Sequence, residues 1–568
     1  MKTKILLVFL IIIFAVVGCK KESKYEEMGE YAPPDAYENG NKHPFYGSEN
    51  EWNQRFFYDH IKDYYKRRGQ RQILDISEGR SAEAEVYCRE LIAQDTNDLE
   101  SRFNLAVALA NQNKIPDAMQ VIKDVVKRGL PLGRFLAGPR NLLKPLTDSK
   151  EFKTYEKGFN VEILHGPMLG RVTDHSASFW VRTADEINVQ VRLSADKNLT
   201  SYIESNTVKS KADVDYTAIV TTDNLRPNTE YYYKIYVNGK AAPGTDLYSF
   251  KTYPEENKPA KFEIAFGGCA GYVYWNERIW DVIHNHNPLA FLWLGDNVYI
   301  NEPTFPGAIH YYTYYRRQSG KEYRNFVSST ANYAIWDDHD AATDDIWMGP
   351  YKDRPAWKMP LLDNFEENWI NPFYGTNDWP GTYFNFKIGD VEIFMLDVRF
   401  YRTNPYDENP TMLGPAQKAW LLDQLKKSTA TFKIMASGVP WAYDAKEDSK
   451  DTWNGFRSER EEIFNFLADN NINGVLLLSG DRHRTDIRKI ERDNGYTMYD
   501  FENCKLTNQH TAPYEPGAIF EYNEKNTYSL LTFDTSQPDP VVVYKPMTID
   551  DEVLYTMTLK LSDLSQKD

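Results

Sequence analysis

The spacing of apolar residues changes twice along this chain of 568 residues and divides it into three folded parts. In residues 49–158 apolar side chains recur every three to four positions, as in SRFNLAVALANQNKIPDAMQVIKDVVKRGLP, which predicts a small helical domain. In residues 159–254 they recur at every second position, as in NVQVRLSA and TEYYYKIYVNG, which predicts a β-sandwich. In residues 255–568 short apolar runs such as LAFLWL and GVLLLS alternate with helical patterns such as RSEREEIFNFLADN, which predicts an α/β domain with strands covered on both faces.

Two of these parts resemble known small domains. Ala106 and Ala118 flank a short polar turn between two helical patterns, in a manner similar to a tetratricopeptide helix pair. Only one clear copy is visible, and such units need neighbours to bury their apolar faces. We therefore expect a small helical domain, with a groove for a protein partner as the less favoured alternative. The stretch LRPNTEYYYKI in the second part resembles the fibronectin type III pattern, which implies a structural β-sandwich.

The first residues are typical of an export signal. Lys2 and Lys4 precede an apolar run from residue 5 to residue 17, which is as long as the core of a signal peptide and short for a membrane-spanning helix. The run ends at Gly18 and Cys19, a pair that resembles a bacterial lipobox. An ordinary signal peptide with an incidental cysteine is the alternative.

The resemblance to a lipobox implies that residues 1–18 are a lipoprotein signal peptide and that a lipidated Cys19 attaches the mature chain to a membrane. The polar residues 19–48 are then expected to form a flexible tether. Lys20, rather than an aspartate, follows the cysteine, and by resemblance this favours the outer membrane over the inner one. We expect a lipoprotein of the bacterial cell envelope, on either the periplasmic or the surface face.

Composition narrows the classes of function. The chain is 42% hydrophobic and 14% aromatic, which supplies material for packed cores and excludes a largely disordered protein. Its formal net charge of -16 argues against nucleic-acid binding through a basic surface, although bound cations could reverse the local field for an anionic substrate. Three cysteines remain besides Cys19, so at least one is unpaired or has a role other than bridging. Cys88 lies in a helical pattern, where we expect a buried apolar thiol.

Side chains that can bind metals follow five of the predicted strands. Ligands in α/β sheets collect at the carboxyl ends of strands. One acidic strand end is common, because Asp often begins a helix, but five in order, with cysteine, tyrosine and histidine among them, are not expected by chance. The residues at these ends are Cys269; Asp296 and Tyr299; Asp337, Asp338 and His339; Asp397 and Arg399; and Asp481 and His483.

The third of these strand ends is the most crowded. The stretch AIWDDHDAATDD, residues 334–345, places five aspartates and one histidine directly after an apolar run. Like charges repel, and a buried carboxylate is costly unless it is paired, so the segment is either a solvated acidic turn or the site of a strong positive charge. Asp340 and Asp345 could still be solvated turn residues.

Taken together, the motifs GDNVYI, AIWDDHD, FMLDVRFYR, MLGPAQKAWL and LLSGDRHR resemble those of the PhoD-like alkaline phosphatases and phosphodiesterases, a branch of the calcineurin-like metallophosphoesterases. The resemblance runs from about residue 160 to the C-terminus. It implies a four-layer α/β/β/α sandwich and a metal cluster of ferric iron with calcium or another divalent ion. Thiolate and phenolate donors suit ferric iron, and carboxylates suit a hard divalent cation. The implied activity is hydrolysis of phosphate mono- or diesters by a metal-bound hydroxide.

The resemblance also implies which residues bind the metals. The expected ligands are Cys269, Asp296, Tyr299 and His483 at the iron, and Asp296, Asp338 and Asp481 at the second ion. Asp296 would thus bridge the two ions. Asp344 stands where relatives often carry an asparagine ligand, and this departure leaves its role as a metal ligand open.

Three residues are the candidates for catalysis. His339 matches the superfamily histidine that hydrogen-bonds the substrate and can protonate a leaving oxygen. Arg399 is expected to clamp phosphate, because its planar fork fits two oxygens. Asp337, which directly precedes the expected ligand Asp338, is the third candidate.

Two alternatives to this phosphoesterase remain. One is a phosphodiesterase that acts on phospholipid or teichoic-type polymers. The other is a surface-anchored binding lipoprotein in which the helical domain does the binding and the metal site is vestigial. The intact set of ligand types argues against a vestigial site, since a decayed site would have lost one or two of them.

Overall fold

The computed structural model describes residues 69–300, 307–342 and 344–566. Four predicted features lie outside these residues: the signal peptide, the lipidation site at Cys19, the tether and the first part of the helical domain. Within the described ranges, no helix combines the length and the apolar character that crossing a membrane requires.

Six α-helices begin the described chain, and we call them the helical unit. They are α1 (Gln70–Ser77), α2 (Ser81–Gln94), α3 (Leu99–Asn111), α4 (Ile115–Lys127), α5 (Arg140–Thr147) and α6 (Lys150–Glu156). Asp98 caps the start of helix α3, because its carboxylate accepts the backbone N–H of Ser101 at 3.0 Å. The small residues Ala106 and Ala118 are fully buried, so α3 and α4 can pack closely. Cys88 on α2 is fully buried and unpaired, which confirms the expected apolar thiol.

A β-sandwich follows the helical unit. One antiparallel sheet has the order β1-β2-β6, and in the other β3 and β7 pair with each other and with four short strands. The strands are β1 (Ile163–Gly170), β2 (Ala177–Thr183), β3 (Asn188–Ser194), β4 (Ile203–Glu204), β5 (Val208–Lys209), β6 (Thr217–Thr222), β7 (Glu230–Val237), β8 (Lys240–Ala241) and β9 (Tyr248–Lys251). Along β7 every second residue is buried, which is the period of two that the sequence predicts.

Two mixed sheets form the centre of the last part of the chain. The first sheet has the order β12-β11-β10-β20-β21-β22 and the second β13-β14-β15-β16-β18-β17-β19. Their strands are β10 (Lys261–Gly267), β11 (Ala290–Leu294), β12 (Ala331–Ile335), β13 (Phe384–Ile388), β14 (Val391–Met395), β15 (Phe432–Ala436), β16 (Val475–Ser479), β17 (Thr485–Ile490), β18 (Met498–Asn503), β19 (Phe520–Tyr522), β20 (Thr527–Asp534), β21 (Val541–Thr548) and β22 (Met557–Lys560).

In the described residues, seven α-helices accompany these sheets. They are α7 (Ile279–Asn285), α8 (Ala308–Gln318), α9 (Lys321–Ser329), α10 (Asp338–Ala341), α11 (Lys358–Asn368), α12 (Gly414–Lys427) and α13 (Arg457–Asp469). Strands such as β11 are buried on both faces: Leu292 joins the core shared with the second sheet, whereas Phe291 and Trp293 join the core shared with the helices. This double burial explains the wholly apolar runs, and the fold is the predicted α/β/β/α sandwich.

Candidate metal centre and active site

The carboxyl ends of strands from both sheets converge at one edge of the domain, and the backbone there is strained. Cys269, Asp296, Asp481 and His483 have φ values of 56°, 52°, 80° and 51°, in the left-handed region that residues other than glycine seldom adopt. Such conformations persist at functional sites, where the surrounding structure enforces them. Four of the predicted metal ligands therefore share a backbone feature that the sequence pattern did not reveal.

Asp296 lies at the centre of this edge. Its Oδ2 accepts the Tyr299 hydroxyl at 2.8 Å and lies 3.6 Å from Cys269 Sγ, whereas its buried Oδ1 has no hydrogen-bond partner among the described residues. Burial, and then the charges of Asp338 and other nearby aspartates, raises the pKa of Asp296 well above its usual value. A cation would remove both costs, because it would pair the charge and take up the orphaned oxygen.

The donor atoms of the predicted ligands form overlapping groups within 4.8 Å. Cys269, Asp296 and His483 make one such group, Asp296, Asp338 and His339 a second, and Asp338, Asp344 and Asp345 a third. The carboxylate of Asp296 is common to the first two groups, as a ligand that bridges two ions would be. The second group contains His339, which the sequence assigned to catalysis, rather than the expected Asp481.

Asp481 stands beside these groups. Its buried Oδ2 accepts no hydrogen bond from the described part of the chain, although Arg482 Nη1 lies 3.7 Å away. Like Asp296, it therefore offers an oxygen that a cation could use.

Tyr299 contacts Asp296, Asn508 and His339. Besides donating to Asp296, its hydroxyl accepts the Asn508 side-chain amide at 2.7 Å, and its ring lies 4.4 Å from the ring of His339. Burial, and then the charge of Asp296, raises the pKa of Tyr299 well above 10, so a phenolate here would need a bound cation. Asn508 Nδ2 is also 3.2 Å from His483 Nδ1. Sequence reasoning missed Asn508, which follows β18 at the same edge of the sheets.

The crowded aspartates have different partners. Asp340 is buried and accepts the backbone N–H groups of Asp337, Asn297 and Val298 at 3.0, 3.1 and 3.1 Å, and burial raises its pKa to about 7. The solvated-turn alternative for Asp340 is therefore wrong, because this carboxylate holds the turn that carries Asp296. Asp345 has an exposed side chain, as that alternative expects, and its backbone N–H donates to Asp338 at 2.7 Å.

Arg399 and Asp337 do not fit the catalytic roles predicted for them. The Arg399 side chain is fully buried; Nη1 and Nη2 donate to Asp451 at 2.6 and 3.1 Å, and Nε donates to Asp337. This guanidinium neutralises two interior carboxylates and cannot reach out to a substrate phosphate. Asp397 is likewise committed, since it accepts four N–H groups, among them those of Arg399 and Phe400 at 2.9 Å.

Cys269 departs from its predicted state. Its sulfur forms a disulfide with Cys504, which follows β18, and the Cα atoms of the pair are 5.0 Å apart. A disulfide sulfur carries no thiolate charge, so the predicted role as an iron ligand applies to the reduced protein. Sequence reasoning gave Cys504 no role, because nothing in the local pattern connects it with a residue 235 positions away.

Three parts of the chain match family models. Residues 264–513 match PhoD-like phosphatase, residues 160–252 match a Domain of unknown function (DUF7800), and residues 75–129 match Tetratricopeptide repeat. The third match confirms the resemblance of the helical unit to a tetratricopeptide pair. The first contains every predicted site residue from Cys269 to His483.

Individual proteins give a consistent result. The chain is similar to alkaline phosphatase D of Bacillus subtilis (strain 168), with 24% identity over 434 residues that cover 66% of this chain and 72% of the relative. Among solved structures it is similar to PhoD, with a TM-score of 0.56, 17% identity and coverage of 70% of this chain and 92% of that one. It is also similar to purple acid phosphatase PPD1 from yellow lupin (Lupinus luteus) seeds, with a TM-score of 0.51, 11% identity and coverage of 70% and 75%.

At these identities the solved structures show the fold alone, and it is the predicted one. The family match carries the assignment further, because residues 264–513 include the strand ends where the candidate metal ligands converge, and the similarity to the Bacillus relative agrees with it. Residues 264–513 are therefore a PhoD-like phosphatase domain, and the chain that carries it is a phosphoesterase.

Proposed function

We propose that this phosphoesterase is an exported, metal-dependent hydrolase of phosphate mono- or diesters that uses ferric iron with calcium or another divalent ion. The observation that carries the proposal is the environment of the Asp296 carboxylate. Its carboxylate is common to two groups of donor atoms, it is almost fully buried, and one of its oxygens has no hydrogen-bond partner among the described residues. Such a carboxylate is costly in the protein alone and favourable between two cations.

The donor set fits the two kinds of ion. The phenolate of Tyr299 and the imidazole of His483 suit ferric iron, and the carboxylates of Asp338 and Asp481 suit a hard divalent ion. When bound, the ions would act as Lewis acids that neutralise the phosphoryl oxygens and activate water. The remaining work belongs to side chains of the protein.

His339 is the candidate for protonating the leaving oxygen. Its ring packs against that of Tyr299, and the residue is 8% exposed. Its Nε2 lies 3.6 Å from Asp344 Oδ1, which can orient the imidazole. A histidine held in this way at the edge of the donor groups can give a proton to an oxygen that departs from phosphorus.

Arg482 replaces Arg399 as the candidate phosphate contact. It lies between Asp481 and His483 in the chain, and its Nε is buried without a hydrogen-bond partner within the described ranges. An arginine beside the donor groups with an uncommitted N–H can bind a phosphoryl oxygen.

Export is supported by the N-terminal pattern that ends at Cys19 and by the disulfide between Cys269 and Cys504, since disulfides are typical of oxidising compartments. Lipidation of Cys19 and a place at the outer membrane remain part of the proposal. So does a protein partner for the helical unit.

Metal analysis combined with an ester assay tests the proposal. The purified chain should hydrolyse p-nitrophenyl phosphate or bis(p-nitrophenyl) phosphate, lose this activity on chelation and regain it when iron and calcium return. Asp338→Asn should lower metal content and turnover together, whereas Asp423→Asn, an exposed acid on α12, should change neither. Metal-replete protein that hydrolyses neither ester, or metal-free protein with full activity, would contradict the proposal.

The assignment of ferric iron has its own test. A phenolate bound to ferric iron absorbs visible light, so Tyr299→Phe should bleach or shift such a band. A colourless, fully active wild type without iron would leave a pair of divalent ions in its place.

A further inference from the structure

The helical unit makes a direct contact with the segment that carries Tyr299. The side chain of Gln70, at the start of α1, is fully buried. Its Nε2 donates to the backbone oxygen of Tyr299 at 2.5 Å and to Thr313 Oγ1 at 3.1 Å. A side chain from the N-terminal unit thus holds the backbone of a candidate metal ligand 229 positions away.

The two surfaces approach each other very closely at this point. Gly69 has a φ of 89°, and a Cβ at this position would lie 1.9 Å from the hydroxyl oxygen of Tyr312 on α8. Only glycine tolerates both the left-handed backbone and this contact. The start of α1 is therefore shaped to fit the surface of α8.

A buried charge network fixes the same interface. Glu100 on α3 accepts both terminal nitrogens of Arg134, at 2.6 and 3.0 Å, and also the hydroxyl of Tyr312 at 2.9 Å. Although burial alone would raise the pKa of Glu100, the Arg134 guanidinium holds it below its usual value. Breaking a charged pair that is this deeply buried costs free energy. The Glu100–Arg134 pair therefore fixes the orientation of the Tyr312 hydroxyl that it binds.

Helix α8 continues this contact toward the site. The Arg316 guanidinium lies 4.3 Å from the ring of Tyr272, which follows Cys269 closely in the chain. Arg317 donates to the backbone oxygen of Asn297, next to Asp296. The helical unit and the loops that carry the candidate ligands therefore contact the same helix.

We propose that the helical unit is a positioning element of the catalytic centre, and that Gln70 is the positioning residue through which it holds Tyr299. This inference rests on the proposed role of Tyr299 as a metal ligand. Asn508 fixes the hydroxyl of Tyr299 and Gln70 fixes its backbone, so the phenol is held at both ends. The next residue, Ile300, donates its N–H to the backbone oxygen of His339 at 3.0 Å, which extends the same support to the candidate acid.

Gln70→Met tests this role, because methionine keeps the length of the side chain and removes its N–H donor. The control is Ile122→Val, which loosens the core of the helical unit on α4, where Ile122 is fully buried. We expect Gln70→Met to lower kcat about tenfold with KM within about twofold of wild type, and Ile122→Val to change neither. The visible band of the iron-loaded protein should also shift in Gln70→Met alone.

Hydrogen exchange of the metal-free protein gives a readout that does not depend on activity. Amides in residues 296–300 should exchange at least about fivefold faster in Gln70→Met, and at the wild-type rate in Ile122→Val. If Gln70→Met is not recovered folded, Gln70→Asn serves instead, since it withdraws the donor by one methylene. Wild-type kcat and wild-type exchange in the variant that folds would overturn the inference. A wild type that hydrolyses no ester would contradict the proposed function, and exchange in the metal-free protein would still decide whether Gln70 holds residues 296–300.

Discussion

Two roles are possible for the disulfide cysteines, a structural cross-link and a metal ligand. Replacing each cysteine in turn with serine distinguishes between them. Cys269 follows β10 in the first sheet and Cys504 follows β18 in the second, so their disulfide ties the two sheets together at the site. The bond closes a loop of 235 positions, and in the chain-entropy model such a loop is worth about 5.5 kcal/mol of unfolding free energy at 25 °C. Cys269→Ser and Cys504→Ser should both lose a similar share of this stability.

The same two variants should differ in metal binding. Cys504→Ser leaves Cys269 as a free thiol whose sulfur is 3.6 Å from Asp296 Oδ2, so it should bind at least as much iron as the wild type. Cys269→Ser removes the sulfur donor altogether and should bind less. Urea unfolding of the metal-free, non-reduced proteins measures the first effect, and elemental analysis after metal loading measures the second.

The metal-binding role of Cys269 and the stabilising role of the disulfide can be refuted separately. Equal metal content in Cys269→Ser and Cys504→Ser would show that Cys269 is not a ligand. Full stability in Cys504→Ser would show that the disulfide does not contribute in solution. Cys88→Ala is the control for loss of a buried thiol, since Cys88 is unpaired and lies in the helical unit; it should leave metal content unchanged.

Three further predictions follow from the site and from the N-terminus. His339→Asn should keep most of the metal and lose turnover, with a larger loss for esters with poor leaving groups; a parallel loss of metal would make His339 a ligand. Arg482→Met should raise KM by about five- to fiftyfold through loss of one charge-assisted contact, and an unchanged KM for both esters would exclude Arg482 as the phosphate contact. Cys19→Ser should move the protein from the membrane fraction to the soluble fraction or leave its signal uncleaved; unchanged fractionation and processing would rule out lipidation.

The strands of the sandwich could be predicted where both faces are buried. The runs KFEIAF, LAFLWL, YAIW, VEIFML, FKIMAS and GVLLLS correspond to β10, β11, β12, β14, β15 and β16. The sequence prediction did not identify β13 or β17–β22 as strands. Several of these are antiparallel strands with partly exposed residues, so their apolar runs are interrupted and give a weaker signal.

The types of residue at the site could be predicted, but not all of their partners. The strand-end rule found Asp296, Asp338 and His483 because parallel strands place such residues at one edge. It misassigned Arg399, because the sequence around an arginine that follows a strand does not show whether its side chain faces a substrate or a buried acid such as Asp451. Gln70 was equally hidden, since its partner lies in another part of the chain.

The acids of the site differ in what already satisfies them. Asp340 accepts three backbone N–H groups and needs nothing further. Asp337 has the Arg399 guanidinium as its counter-charge, although its buried Oδ2 accepts no hydrogen bond from the described residues. Asp296 and Asp481 each keep a buried oxygen that no hydrogen bond from the described residues reaches. Asp481 has Arg482 Nη1 3.7 Å away, whereas no cationic side chain of the described residues pairs with the buried Asp296. A buried carboxylate left in this state costs several kcal/mol unless something positive binds there. The unpaired carboxylate of Asp296, rather than the number of acids in the sequence, is what favours bound cations at this edge.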